Sequence, residues 1–231
     1  MMCQTNRPAV SFLRSLCVLG AAFGLLAAGG CSMPISAKYS PIAAVDSLVI
    51  PGQTPPRIFV VRYIDQREEK ESIGTMKNVL GLTFKKLVTS DDLTRILAEA
   101  TTDALRKAGL KADLNSERLP TEQIPPGELQ GYDCVVGGRV EEVEVVSQPG
   151  WSTLKITSRV VISLYVGKGG QAEWVGPIEG TAEKREMAQQ NTAYVQSSAL
   201  TDALDIAIQN CMRNMVRHLK ASGTLQAVGG T

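Results

Sequence analysis

The residues best suited to chemistry in this chain are its five cysteines, which fall into three groups. Cys3 and Cys17 lie near the amino terminus, Cys31 follows a run of small residues, and Cys134 and Cys211 lie in the body of the chain. A cysteine thiol can be acylated, form a disulfide, ligate a metal or attack a substrate. The sequence around each cysteine indicates which of these applies.

The first thirty residues have the composition of a signal peptide. Residues 1–14 include Arg7 and Arg14, whereas residues 15–30 are mostly apolar and carry no charge. The apolar run is shorter than the roughly 20 residues that a membrane-spanning helix needs. A positively charged start followed by a short apolar region is typical of secretory signals. We predict that residues 1–30 are a lipoprotein signal peptide that is removed from the mature chain.

The residues before Cys31 resemble a lipobox. Ala28, Gly29 and Gly30 are small enough for a lipoprotein signal peptidase, although the motif usually has Leu where Ala28 stands. The alternative is an ordinary secretory signal with an incidental cysteine. Acyl chains on Cys31 would contribute about 0.8 kcal/mol per buried methylene, which is enough for stable anchoring. In Gram-negative bacteria an Asp after the lipidated cysteine typically retains lipoproteins at the inner membrane, so in such a bacterium Ser32 favours the outer membrane, with the chain facing the periplasm.

Cys134 and Cys211 are the two cysteines left for other chemistry. Both fall at inward-facing positions, Cys134 on a predicted strand and Cys211 on a predicted helix. In an oxidising compartment such a pair either stays as two buried thiols or forms a disulfide that ties strand to helix. The sequence leaves both alternatives open.

No pattern in the sequence predicts catalysis, a metal or a cofactor. His218 is the single histidine, so a cluster of histidine ligands is excluded, and a Ser-His-Asp arrangement would have to use this residue. It falls near the end of a predicted helix, where a cation interacts favourably with the helix dipole. Residues 167–170 are glycine-rich but lack the spacing of a phosphate-binding loop and predict a turn. We expect a protein that is not an enzyme.

The charge balance argues against nucleic acid as a partner. The full chain has 24 basic and 23 acidic residues. Removal of residues 1–30 takes away Arg7 and Arg14 and no acidic residue, which leaves 22 basic residues against 23. Proteins that bind nucleic acid usually have a marked basic excess.

Composition divides the mature chain into a linker, one domain and a tail. Residues 31–56 contain five of the eleven prolines and no helical periodicity, so we predict a lipidated cysteine followed by an extended linker. Residues 57–221 are predicted to form a single α+β periplasmic domain. Residues 222–231 are predicted to be a flexible tail.

Apolar periodicity predicts several strands in the domain. Asp65-Gln66-Arg67 follows the first strand and predicts a local ion pair that shapes the next segment. A change of alternation implies a bulge near Glu141 and Glu142. The predicted strands cover residues 57–64, 84–88, 110–114, 134–145, 154–166 and 172–183.

Two long helices complete the predicted fold. The first has Ser90 as its N-cap and ends at Gly109. The second begins between residues 191 and 198 and runs to about residue 221. The order strand, helix, strands, helix predicts an α+β fold, with an antiparallel-rich sheet and both helices packed on one face.

The outward-facing residues of the last three strands form a charge pattern. Lys155 and Arg159 belong to a basic central strand between two acidic strands, so we expect cross-strand ion pairs. This surface is either an ordinary solvated face or a partner-docking surface. Trp151 follows the turn at Pro149 and Gly150, where it either packs over the sheet end or anchors a partner. Trp151, Lys155 and Arg159 are therefore the candidate docking residues.

Several of these segments together resemble the YajG family of uncharacterised Gram-negative lipoproteins. The resemblance rests on Asp65-Gln66-Arg67, on Ile73-Gly74, on the helix that ends at Gly109 and on the alternating strand at 154–166. It covers the lipobox and most of residues 57–220, and it implies an outer-membrane lipoprotein with an α+β domain. The order of elements is also similar to the amino-terminal domain of TolB and to LpoB-type lipoproteins, which are interaction modules.

Two hypotheses for function follow. In the first, the anchored domain is a non-catalytic interaction or accessory module whose partners are the membrane and an envelope protein. In the second, it binds or senses a small envelope ligand, such as a cell-wall fragment or a lipid, in a pocket between the sheet and the helices.

Overall fold

The computed structural model describes residues 32–115, 117, 131–168, 171–187 and 193–225. The signal peptide, Cys31 and most of the loop predicted after residue 115 lie outside this range. The described residues form nine strands and two helices: β1 (Ser32–Pro34), β2 (Arg57–Val61), β3 (Ile64–Asp65), β4 (Ser72–Lys77), β5 (Thr83–Val88), α1 (Leu93–Lys107), β6 (Lys111–Asn115), β7 (Cys134–Pro149), β8 (Thr153–Lys168), β9 (Gln171–Met187) and α2 (Ala193–Ser222).

Strand β7 is the centre of the sheet. One edge of β7 pairs antiparallel with β8, and β8 pairs antiparallel with β9. The other edge of β7 pairs in turn with β2, β3 and β4, all of them parallel to it. Beyond these, β6 pairs with β2, and β5 and then β1 extend the sheet from β4.

This topology confirms the α+β class and corrects the predicted sheet. The sheet is mixed and not antiparallel-rich, because β1 with β5, β2 with β6, and β7 with three of its neighbours all pair in parallel. Alternation of apolar residues indicates which face of a strand is buried, but it does not identify the neighbouring strand or its direction.

The bulge predicted near Glu141 and Glu142 is confirmed. Val140 lies opposite Ile162 on β8 and Glu142 lies opposite Val161, so Glu141 is the extra residue. The bulge reverses the alternation of β7, which keeps both Val140 and Val143 buried.

Both helices lie on the same face of the sheet, as predicted. Leu97 and Leu105 of α1, together with Leu204 and Ile208 of α2, have almost no exposed surface and share one apolar core with inward-facing strand residues such as Ile156. Burial of each such side chain is worth roughly 2 kcal/mol relative to exposure. We call this side of the sheet the covered face and the other side the open face.

Helix α1 begins two residues later than a cap at Ser90 would place it. The side chain of Asp92 is the N-cap and accepts a hydrogen bond from the backbone N–H of Arg95, 3.2 Å away. The helix ends at Lys107, and Gly109 follows with φ of +93°, as expected for the glycine that terminates a helix.

Helix α2 lies close to β9 and donates hydrogen bonds to two of its backbone carbonyls. A side chain at Gly180 would overlap backbone atoms of Ala207 and Cys211, so the absence of a Cβ allows the close approach. The amides of Asn210 and Asn214 each donate a 2.7 Å hydrogen bond to backbone carbonyls of β9. An edge strand with unpaired carbonyls is a template for unwanted pairing, which these contacts block.

The segment predicted as an extended linker is part of the folded domain. Ile35, Ile42 and Leu48 are buried in the main core. The backbone N–H of Ser40 donates to Asp205 of α2 at 2.7 Å, and the hydroxyl of Tyr39 donates to Asp103 of α1 at 2.7 Å. These buried side chains and hydrogen bonds fasten the segment to both helices, so residues 32–56 do not form a free tether.

The start of the predicted tail is also packed. Leu225 has only 3% of its surface exposed and contributes to the main core. Residues 223–225 therefore belong to the domain, and residues 226–231 lie outside the described part of the chain.

Candidate interaction surfaces

The open face carries the ion pairs that the sequence predicted. Arg159 of β8 lies between two carboxylates, 2.7 Å from Glu142 on β7 and 2.8 Å from Glu179 on β9. Lys155 pairs with Glu183 of β9 at 3.2 Å. We call these five residues the charged ladder. It crosses all three long strands and is exposed to solvent.

The charged ladder is largely neutralised within the chain. Hydrogen bonds from Arg185 and Lys155 hold the pKa of Glu183 below its usual value. The carboxylates around Arg159 raise the pKa of its guanidinium. A shallow depression of about 340 Å³ lies along the ladder between β7, β8 and β9. A partner here would meet paired charges and hydroxyl groups, not an unbalanced basic patch.

Aromatic residues occupy the other end of the open face. Phe59 and Tyr132 have ring centroids 4.9 Å apart, and Tyr165 and Trp174 have centroids 5.3 Å apart. The guanidinium of Arg139 lies 3.8 Å from the centroid of the Trp174 ring, within the range of a cation–π interaction. Phe59, Tyr165 and Trp174 pack with Val61 and Val135, which are nearly buried although neither of the two described helices covers this face.

Trp151 does not belong to either part of the open face. It is fully exposed in the turn between β7 and β8. With Val79 and Leu80 of the β4–β5 turn it lines a depression of about 500 Å³. The structure therefore brings Lys155 and Arg159 together and places the third predicted docking residue on a separate surface.

That separate surface is an apolar patch at one end of the sheet. The β4–β5 turn lies beside the β7–β8 turn because β4 pairs with β7 up to Met76 and Ser147. Met187 is at the same end of the sheet, because it lies opposite Thr153 at the end of β9. We call the exposed apolar side chains at this end the apolar tip: Val79, Leu80, Leu82, Phe84, Trp151 and Met187.

Sequence reasoning missed most of the apolar tip. The signal was present, because Val79, Leu80 and Leu82 surround Gly81 in a segment that also contains Asn78. Glycine and asparagine indicate a turn, and a turn exposes its side chains. Three large apolar residues in a turn are unusual for a surface that meets only water.

Cys134 and Cys211 are free thiols, and both are buried. The strand-to-helix disulfide is therefore not formed in this structure. Burial raises the pKa of each thiol to about 12, so both are protonated at neutral pH and unreactive. Cys211 lies where α2 meets β9, and its thiol contacts the carbonyl of Ile178.

Asp65 and Arg67 form the local ion pair that the sequence predicted. Their side chains are 2.8 Å apart, and the Arg67 side chain is only 7% exposed. Arg67 also donates to the carbonyls of Lys70 and Ser72, which holds the segment before β4. Burial alone would raise the pKa of Asp65, but hydrogen bonds from Arg67 outweigh it and lower that pKa.

Other functional groups are dispersed over the described residues. His218 is exposed near the end of α2. In the part of the chain that the structure describes, no three His, Cys, Asp or Glu side chains converge to hold a metal ion.

The two described helices were predicted to pack on the sheet. Neither of them is long and apolar enough to cross a membrane.

No protein-family model and no curated protein sequence matches this chain. Among solved structures it is similar to a Xanthomonas campestris protein of the DUF330 family, with 14% identity, a TM-score of 0.45, and coverage of 85% of this chain and 99% of that one. A minor lipoprotein from Acinetobacter baumannii has 11% identity and a TM-score of 0.38 over 74% of this chain and 95% of that one. The PelC dodecamer from Paraburkholderia phytofirmans has 16% identity and a TM-score of 0.30 over 74% and 94%. At these TM-scores the likenesses carry no argument about function, and the resemblance to YajG stays a prediction.

Proposed function

We propose that this protein is a lipoprotein anchored through Cys31 to the outer membrane, facing the periplasm, and that its domain is a non-catalytic interaction module of the cell envelope. The signal-peptide composition and the small residues before Cys31 support the anchor. The resemblance to YajG supports the outer membrane, as does Ser32 after the cysteine.

The observation that carries the interaction role is the open face. Both helices pack on the covered face, so the opposite side of β7, β8 and β9 has no layer of secondary structure over it among the described residues. The open face combines the charged ladder with an aromatic cluster, and aromatic and arginine side chains are the residue types most enriched in binding hot spots. A partner protein of mixed polar and apolar character fits this surface.

The hypothesis of a ligand pocket between the sheet and the helices receives less support. Side chains from both layers, such as Leu105, Ile156 and Leu204, fill that interface and have no exposed surface. A ligand would have to displace them, which creates cavities and strain in a close-packed core.

Site-specific photo-crosslinking in intact cells tests the docking role. A photoreactive amino acid replaces Lys155 or Thr157 on the open face, and the matched control carries it at Arg95, an exposed position of α1. We expect both open-face positions to capture the same envelope protein, and the Arg95 position not to capture it. Equal capture at all three positions, or at none, would contradict a docking role for this face.

The anchor and its location are tested separately. Mass spectrometry of the amino-terminal peptide should show acyl chains on Cys31, and Cys31→Ser should release the protein from membranes. Ser32→Asp should move the acylated protein to the inner-membrane fraction. An unmodified Cys31 would refute the anchor, whereas acylated wild-type protein in the inner-membrane fraction would refute only the location.

A further inference from the structure

The β4–β5 turn of the apolar tip is held in a defined conformation by hydrogen bonds within the turn. The side-chain oxygen of Asn78 accepts hydrogen bonds from the backbone N–H groups of Leu80 and Leu82, at 3.0 and 2.9 Å. The N–H of Asn78 donates to the carbonyl of Leu82, and that of Gly81 donates to the carbonyl of Asn78. Polar backbone groups that are paired in this way can enter an apolar medium at low cost. The turn therefore presents its side chains without leaving these donors unsatisfied.

The side chains of the apolar tip suit the boundary between water and lipid. Leu80 has 79% of its surface exposed, Met187 has 75% and Val79 has 70%. Trp151 is fully exposed, and tryptophan is enriched at membrane interfaces because it is apolar with one polar N–H. Lys77 and Lys85 lie on the strands that lead into and out of the β4–β5 turn. Lysines placed there can extend their ammonium groups to lipid head groups.

The amino-terminal strand places the anchor near the same end of the sheet. Ser32, the residue after Cys31, lies opposite Lys86 on β5, and β1 runs parallel to β5. Because β5 starts at Thr83 beside the tip, Ser32 is three residues along β5 from that end, a distance of about 10 Å. One peptide bond joins Ser32 to Cys31, so no tether separates the domain from the acylated residue.

We propose that the apolar tip inserts into the leaflet that holds the acyl chains of Cys31, so that the domain is fixed on the membrane at two points. This inference rests on the anchor proposed above. The bilayer is the occupant that the geometry favours, since the patch lies beside the anchor and its apolar residues project from the end of the sheet. With the tip in the leaflet, the long strands stand away from the membrane and the open face points sideways into the periplasm.

Depth-dependent fluorescence quenching tests the insertion. The chain contains two tryptophans, Trp151 and Trp174, so Trp174→Phe leaves only the tip residue as a reporter. The acylated protein is reconstituted in phosphatidylethanolamine–phosphatidylglycerol vesicles whose lipids are brominated at shallow or deep positions. We expect shallow bromine atoms to quench most of the Trp151 emission. The matched Trp151→Phe protein, which retains Trp174 on the open face, should not be quenched.

Charged variants separate insertion at the tip from general adhesion. Val79→Asp with Leu80→Asp should abolish most of the Trp151 quenching. Ile206→Asp, which places the same charge at an exposed apolar residue of α2, should leave it unchanged. If the emission of Trp151 in the acylated protein is not quenched, the insertion is overturned and the anchor stands. The same conclusion follows if Trp151 becomes buried only when an envelope protein is added.

The two proposals fail in different ways. If mass spectrometry finds no acyl chain on Cys31, the anchor is refuted, and the unacylated protein is then tested with the same vesicles. Quenching of Trp151 in that sample would support insertion of the tip on its own. Its absence would overturn the insertion as well.

Discussion

The covered and open faces of β7, β8 and β9 are made by alternate residues of the same strands, yet they are stabilised by different interactions. On the covered face, Gly180 allows α2 to lie against the backbone of β9. On the open face, Arg159 and its carboxylate partners pair in contact with water. Close packing is sensitive to single atoms, whereas exposed ion pairs contribute little to folding. We therefore expect packing on the covered face to contribute far more to stability than the charged ladder of the open face.

Gly180→Ala should have the largest effect on stability. The added methyl group overlaps backbone atoms of α2, which cannot rotate away as a side chain can, so the helix must shift. We expect a loss of about 3 kcal/mol in the free energy of unfolding, measured by denaturant titration. Thr181→Ala changes the next residue, which is exposed, and should leave stability nearly unchanged. Equal effects of the two substitutions would remove the distinction between the faces.

Arg67→Met tests whether a buried ion pair contributes more to the free energy of unfolding than an exposed one. This variant leaves Asp65 without its partner and removes the hydrogen bonds to the carbonyls of Lys70 and Ser72. We expect a loss of about 2 kcal/mol at neutral pH, since Asp65 keeps some contact with water. Arg67→Lys should recover only part of the lost stability, because an ammonium group cannot donate two parallel hydrogen bonds to the Asp65 carboxylate as a guanidinium does. Wild-type stability in Arg67→Met would refute the role of the pair.

The same pair predicts a dependence on pH. The pKa of Asp65 is lowered in the folded protein, so its contribution is complete above the pKa of aspartate in the unfolded chain, about 3.9, and is lost as pH falls through the lower folded value. The difference in unfolding free energy between wild type and Arg67→Met should therefore shrink in acid. A difference that stays constant from neutral pH to below pH 3 would contradict this assignment.

Arg159→Ala should change stability much less than either of these variants. The charged ladder is exposed, and water replaces the lost contacts to Glu142 and Glu179. Denaturant titrations at low and high salt measure the effect, and salt should reduce it further. A loss as large as that of Arg67→Met would show that the ladder supports the fold, and the open face would then be a structural surface.

Val79→Asp with Leu80→Asp should have the smallest effect on folding in solution. Both side chains are mostly exposed, and the hydrogen bonds of the turn are made by Asn78 and backbone atoms. The midpoint of denaturation of the soluble domain should equal that of wild type. A clear loss of stability would mean that the apolar tip packs against the domain and is not free to meet a membrane.

The helices, the buried and exposed faces of the strands and the bulge in β7 were predictable because each depends on local periodicity of apolar residues. The stripe of α1, the alternation of β8 and the reversed alternation around Glu141 each have a direct signature in neighbouring residues. The parallel pairing of β2, β3 and β4 with β7 has none, since it depends on contacts between residues far apart in the chain. The burial of Ile35 and Ile42 was missed for the same reason, because prolines mask any periodicity in that segment.

The candidate surfaces were predictable only in part. Lys155 and Arg159 were placed correctly on one face because strand alternation is strict in β8. Trp151 was grouped with them because it is near in sequence. The structure instead pairs it with a turn some seventy residues earlier, and only the contact of β4 with β7 brings these turns together. A turn with three apolar residues was the available signal.

The central place of β7 also has a consequence for the order in which the protein can be built. The ribosome produces β2, β3 and β4 before β7, the strand that pairs with all three. Until β7 arrives, these three strands have no partner along the edge that it will occupy. Sequential neighbours β7, β8 and β9 can assemble quickly by themselves, and the earlier strands must then join a finished edge through long-range contacts. We therefore expect the newly made amino-terminal half to be the part most prone to aggregate until β7 has been made.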